Sequence, residues 1–284
     1  MDRFDWLELD STPGVAVPVS PTVLPLESPA QMPNDAPSFY RAARTMREAG
    51  HFRAATEYYR KAIALNDHHF DAWVELIDTL VRARRIAEAN TASLEAHEAF
   101  KQVRSLYASR ALVLAQLGQL PDAMRHSDVS VESTESGWYA RSVRGEVFLR
   151  IGAGHRTDAL ASFEQALQLA QNAWEPSFLA GWALLDARYF ALAAGYFAEA
   201  AHQHPRAPIL WLCLGDCFRE LRFYDQALFY YQRVTELEPA SEIALARQKQ
   251  CGSLVYGLMR ALSRDSLQKR WRRDFDRQFG RNKD

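Results

Sequence analysis

Cys213 and Cys217 stand four residues apart, with Cys251 further on, and two thiolates at that spacing on one helical face could share a metal ion. Both, however, fall in an apolar run, PILWLCLGDCF, where small side chains are wanted for packing, so they read as core. His68-His69 and His202-x-His204 each close a helical pattern and read as solvated turn histidines. The chain holds no P-loop, no G-x-G-x-x-G after a strand, no H-E-x-x-H, no G-x-S-x-G and no C-x-x-C. The expectation is therefore a protein that is not an enzyme, with no catalytic residue, no metal and no cofactor, whose work is binding.

Composition narrows what could be bound. A chain of 284 residues, 48% hydrophobic and 24% charged with a net charge of -1, is ordinary globular material and argues against nucleic acid as the main partner. An odd three cysteines make no disulfide framework, which fits a reducing compartment. The opening MDRFDWLELD is acidic where a secretory signal would be basic, and no apolar run reaches the roughly 20 residues that span a bilayer. A cytoplasmic location is expected.

Something must position the binding groups, and its period is written in small residues. Alanine recurs at Ala55, Ala89, Ala123, Ala159, Ala193 and Ala227, with spacings of 34, 34, 36, 34 and 34. A small residue at a fixed place is what two helices need where they cross most closely. A second such place holds Ala43, Ile77, Ala111, Gly145, Gly181 and Gly215. Large residues fill the surroundings: Phe39, Trp73, Tyr107 and Trp211 on the first helix, and Tyr59, Phe163, Phe197 and Tyr231 on the second. Ser93 and Ser127 replace the aromatic in two units, and Arg141 replaces one in another, so the middle of the array is expected to be its least regular part.

The clearest unit is Pro208 to Ser241. Counted from Pro208, it has Trp at place 4, Leu-Gly at 7 and 8, Phe at 11, Ala at 20, Tyr at 24 and Pro at 32. This pattern resembles the tetratricopeptide repeat, a 34-residue helix-turn-helix unit. The resemblance implies an all-α, right-handed superhelical solenoid of six repeats covering 206 residues: 36–69, 70–103, 104–137, 138–173, 174–207 and 208–241. The fourth unit carries two extra residues in its turn, IGAGHRTDA. A capping helix is expected over 242–263, where Cys251, Leu254, Val255, Leu258, Met259 and Leu262 share one face. Residues 1–35 form a Pro-rich acidic tail, six acids against one arginine, that is expected to stay disordered. Its FDWLELD stretch suits either a short docking motif or a leader packed on the first repeat. Residues 264–284 form a basic amphipathic segment with eight cationic and four acidic side chains.

In such arrays, the resemblance implies, places 2, 5, 9, 12 and 13 of each first helix line a concave groove that receives a peptide or protein segment. Here the first two units supply Tyr40, Arg44, Arg47, Val74, Asp78 and Arg82. The next two supply Ala108, Leu112, Ser142, Glu146 and Arg150. The last two offer an apolar floor of Phe178, Trp182, Leu185 and Leu212, edged by Glu175, Asp186, Asp216 and Glu220. Either that floor is a hot spot for a partner, or Phe178 and Trp182 pack against a neighbouring repeat or the cap. The Lys/Asn clamp by which some co-chaperones of this family hold a terminal carboxylate is missing, since Tyr40, Arg44, Glu75, Ser105 and Ser109 stand at its places. The expected function is a scaffold or adaptor for a protein or peptide partner. Two alternatives are that the basic C-terminal segment touches nucleic acid or an anionic membrane, or that it occupies the groove of its own or another copy, giving autoinhibition or self-association.

Overall fold

The computed structural model describes residues 33–132, 137–171 and 173–253. Within them thirteen α-helices follow one another, and no strand occurs. They are α1 (Ala36–Glu48), α2 (Phe52–Leu65), α3 (Phe70–Arg82), α4 (Ile86–Ala99), α5 (Arg104–Gln116), α6 (Leu120–Val131), α7 (Trp138–Ile151), α8 (Arg156–Leu169), α9 (Glu175–Asp186), α10 (Phe190–Gln203), α11 (Pro208–Glu220), α12 (Tyr224–Leu237) and α13 (Glu242–Cys251). A single 3₁₀ turn, Ala153–His155, takes up the extra residues before α8. Described residues up to 183 form one compact unit and those from 184 a second, with the boundary inside α9. Most of the acidic tail, the second half of the expected cap and the basic segment 264–284 lie outside the described residues.

Within each compact unit the helix pairs are held at their crossing by small residues. Ala55, Ala89, Ala123, Ala159, Ala193 and Ala227 all have no exposed surface. On the facing helix, a β-carbon on Gly145 would lie 2.3 Å from Phe163 Cε1, and one on Gly215 would lie 2.4 Å from Tyr231 Cε1. Those rings lie against bare backbone, which fixes how closely the helices approach. Five of the turns between paired helices close in one way: the N–H groups of His51, Arg85, Gln119, Tyr189 and Phe223 each reach back five residues to a helix carbonyl. This is a Schellman ending, whose preceding residue must be left-handed. Gly50 and Gly118 meet that need, while Arg84, Arg188 and Arg222 hold φ of 60°, 64° and 67° as arginines.

Successive pairs are tied by their aromatic residues. Trp73 Nε1 donates to the Asp67 carbonyl at 2.9 Å, and Trp211 Nε1 to that of Pro205 at 2.8 Å, so each indole anchors its helix to the turn before it. The serines in the middle repeats are buried and do not loosen the stack. Arg110 reaches Ser93 Oγ at 3.0 Å and Asn90 Oδ1 at 2.6 Å, and Arg144 reaches Asp128 at 2.6 Å beside Ser127, so arginines from the following helix occupy the space an aromatic would take. In the second compact unit, Gln248 of α13 donates to the Tyr231 carbonyl and to Thr235 Oγ1, both at 2.9 Å, seating α13 on α12.

Candidate functional site

The inner places of the first four helix pairs are largely buried, which departs from a groove free to follow its ligand. Asp78, Arg82, Ala108, Leu112, Ser142 and Glu146 are all at most 4% exposed. The reason is a ladder of charges running across α1, α3, α5 and α7. Arg47 pairs with Glu75 at 3.2 Å and Asp78 at 3.0 Å, and Arg82 spans Asp78 at 3.0 Å and Glu146 at 2.8 Å. Gln116 donates to Glu146 at 2.8 Å and accepts from Arg150 at 2.7 Å. Tyr40 and Tyr59 both donate to Glu75, at 3.0 and 2.5 Å. Burial works against the charge on Arg82, but Asp78 and Glu146 outweigh it and hold the guanidinium above its usual pKa. Burial and then Glu75 raise both tyrosines, so the phenols stay neutral donors.

The start of α9 lies against this wall. Arg44 Nη2 meets Glu175 Oε1 at 2.6 Å, Arg47 lies over the Phe178 ring at 5.6 Å, and Arg82 lies over Trp182 at 6.0 Å. Phe52 of α2 meets Trp182 edge-on at 5.8 Å, and Phe178 does so at 5.5 Å. Phe178 is only 1% exposed, so it is not the open floor expected of it; Trp182 is half-buried. Both rings are spent on arginines and on each other, because an aromatic face is the best neighbour a buried guanidinium has after a carboxylate.

An open pocket of about 320 Å³ lies where α1, α3, α5, α7 and α9 converge. Tyr40, Arg44 and Arg47 line it from α1, and Asp71, Val74, Glu75 and Asp78 from α3. Ser105, then Gly137, Trp138 and Tyr139, then Glu175 and Leu179 complete the ring. Six residues expected in the groove, Tyr40, Arg44, Arg47, Val74, Asp78 and Glu175, are thus brought together in one place. Trp138, Tyr139 and Asp71 were not singled out by the sequence, although Asp71 and Tyr139 stand at groove places and could have been counted.

The tetratricopeptide-repeat family profile matches residues 40–102 and 178–242. Over those residues the chain carries tetratricopeptide repeats. Among solved structures, YrrB, described as a TPR protein with an unusual peptide-binding site, is 18% identical over 68% of this chain and 99% of its own, with a TM-score of 0.40. TTC0263, a thermophilic TPR protein in Thermus thermophilus, is 14% identical over 76% of this chain and 98% of its own, with a TM-score of 0.44. The Cut9–Hcn1 hetero-tetramer of the APC/C gives 13% identity over 79% of this chain and 44% of the matched one, with a TM-score of 0.46. No curated protein sequence matches the chain.

The other expected groove residues of the tetratricopeptide array, Leu185, Asp186, Leu212, Asp216 and Glu220, belong to the second compact unit. Leu185 and Leu212 are half-buried. Asp216 accepts from Tyr231 at 2.7 Å and lies 3.4 Å from Arg247 of α13, while Glu220 takes Arg219 at 2.8 Å. Cys213, Cys217 and Cys251 are buried, and burial, then Asp216 and Glu220, push the Cys217 thiol well up. Among the described residues no group of three metal-ligating side chains occurs, and no helix is long and apolar enough to cross a membrane.

Proposed function

We propose that this protein is a non-enzymatic interaction scaffold, and that it receives a peptide or protein segment in the pocket between α1, α3, α5, α7 and α9. The observation that carries the reading is that Arg82, Ala108, Leu112, Ser142 and Glu146 at inner places are at most 4% exposed, whereas this pocket is open and is ringed by Tyr40, Trp138 and Tyr139. Its volume is at the lower end for ligand sites and admits one or two side chains rather than a whole helix. A partner would therefore insert side chains from an extended segment. Rigid rings lose little entropy on burial, which makes them strong contributors at such contacts.

The test is selection from a displayed random-peptide library on the intact protein, followed by affinity measurement on Trp138→Ala. Recovered peptides should bind the variant at least about tenfold more weakly, a loss of about 1.4 kcal/mol, while its helical circular dichroism is unchanged. Peptides that bind wild type and the folded variant equally would remove the pocket from consideration.

A further inference from the structure

Resting on that reading of the pocket, we infer that its ligand is a basic segment, one that inserts an arginine or lysine side chain. The lining carries four carboxylates, Asp71, Glu75, Asp78 and Glu175, against two cations, Arg44 and Arg47. Two of the carboxylates are committed. Glu75 accepts from Tyr40, Tyr59 and Arg47, and Asp78 accepts from Arg47 and Arg82. The other two have capacity to spare. Among the described residues Asp71 makes no hydrogen bond or ion pair and is exposed, and Glu175 is engaged through Oε1 alone, by Arg44.

Three ligand chemistries can be weighed against this arrangement. An acidic side chain would enter a lining with two excess negative charges. An apolar one would strip water from Asp71 and Glu175 and return no hydrogen bond, which costs free energy. A guanidinium or ammonium group can pair with either carboxylate and lie on Tyr40 or Trp138, whose π faces attract cations. Arg47 lines the same pocket at 6% exposure, and its buried Nε–H has no acceptor. Because the pocket is read as one that receives a polypeptide segment, the occupant is a basic peptide rather than a small polyamine.

The probes are short capped peptides of glycine and serine with a central Arg-Arg, norleucine-norleucine or Glu-Glu pair, measured by fluorescence anisotropy on the full chain. The arginine peptide should bind at least about tenfold more tightly than either other, and more weakly as salt rises. The double variant Asp71→Asn/Glu175→Gln, checked for helical content, should lose most of that preference. Tighter or equal binding of the norleucine or glutamate peptide, or no binding by any of the three, overturns the ligand class. The pocket itself is judged separately, by whether library-selected peptides respond to Trp138→Ala.

Discussion

Replacing Arg82 by methionine probes the buried ladder directly. The Arg82 side chain is 1% exposed and lies between Asp78 at 2% and Glu146 at 3%. Removing one partner of a buried ion pair costs about 3–5 kcal/mol, because the remaining charge is left in a medium that solvates it poorly. Here both acids keep some compensation: Asp78 retains Arg47 at 3.0 Å, and Glu146 retains the Gln116 amide at 2.8 Å. The lower end, about 3 kcal/mol, is expected. Urea unfolding followed by circular dichroism should show the midpoint falling by roughly 1 M or more, with the slope unchanged. Arg82→Met/Glu146→Met then removes both members of that pair, including Arg82 Nη1, which has no partner in its buried position, and leaves Asp78 with Arg47. The double variant should recover at least about 1 kcal/mol relative to the sum of the two single losses. A single-variant loss under about 1 kcal/mol, or strict additivity in the cycle, would refute the idea that these charges are dry and coupled.

Two further outcomes follow from the second compact unit. Gly215→Ala drives a methyl into the Tyr231 ring, and overpacking of about 1–3 kcal/mol exceeds the 0.5–1 kcal/mol or so gained by removing a helical glycine; thermal denaturation should show a net loss that a Tyr231→Leu background relieves. Asp216→Asn tests a titration. Burial raises the Asp216 carboxyl above its ordinary value despite the Tyr231 hydrogen bond and Arg219. Between the unfolded and the raised folded pKa the native state therefore binds more protons than the unfolded one, so stability falls as pH rises through that window. The asparagine variant should be the more stable protein at neutral pH, with its advantage shrinking on acidification past the raised pKa. An advantage independent of pH would contradict the assignment.

The helix-turn-helix architecture was legible because its determinants are local. The recurring alanines, each with no exposed surface, and the glycines at Gly145 and Gly215 report a crossing within one helix pair. A period of 34 residues is enough to find them. The pocket was legible only in part, because its other wall comes from far along the chain. Nothing in the spacing of Arg47 and Phe178 says that a cation on α1 lies over a ring on α9. That depends on how much each repeat rotates relative to the last, a small angle summed over several packed pairs rather than a motif. Ser93 and Ser127 illustrate the same point, since the arginines that fill their space look, in sequence, like ordinary surface charges on the next helix.

The pair between Arg44 and Glu175 joins residues 131 apart in sequence. A stack of repeats that touch only their neighbours unfolds like a zipper, each unit adding its own stability and one interface. Contacts that bring α9 back to α1 and α2 add a term that no single interface owns, realised only when every intervening pair is in place. Residues 33–183 should accordingly melt as one cooperative block, with amide protection in α1 and at the start of α9 rising and falling together.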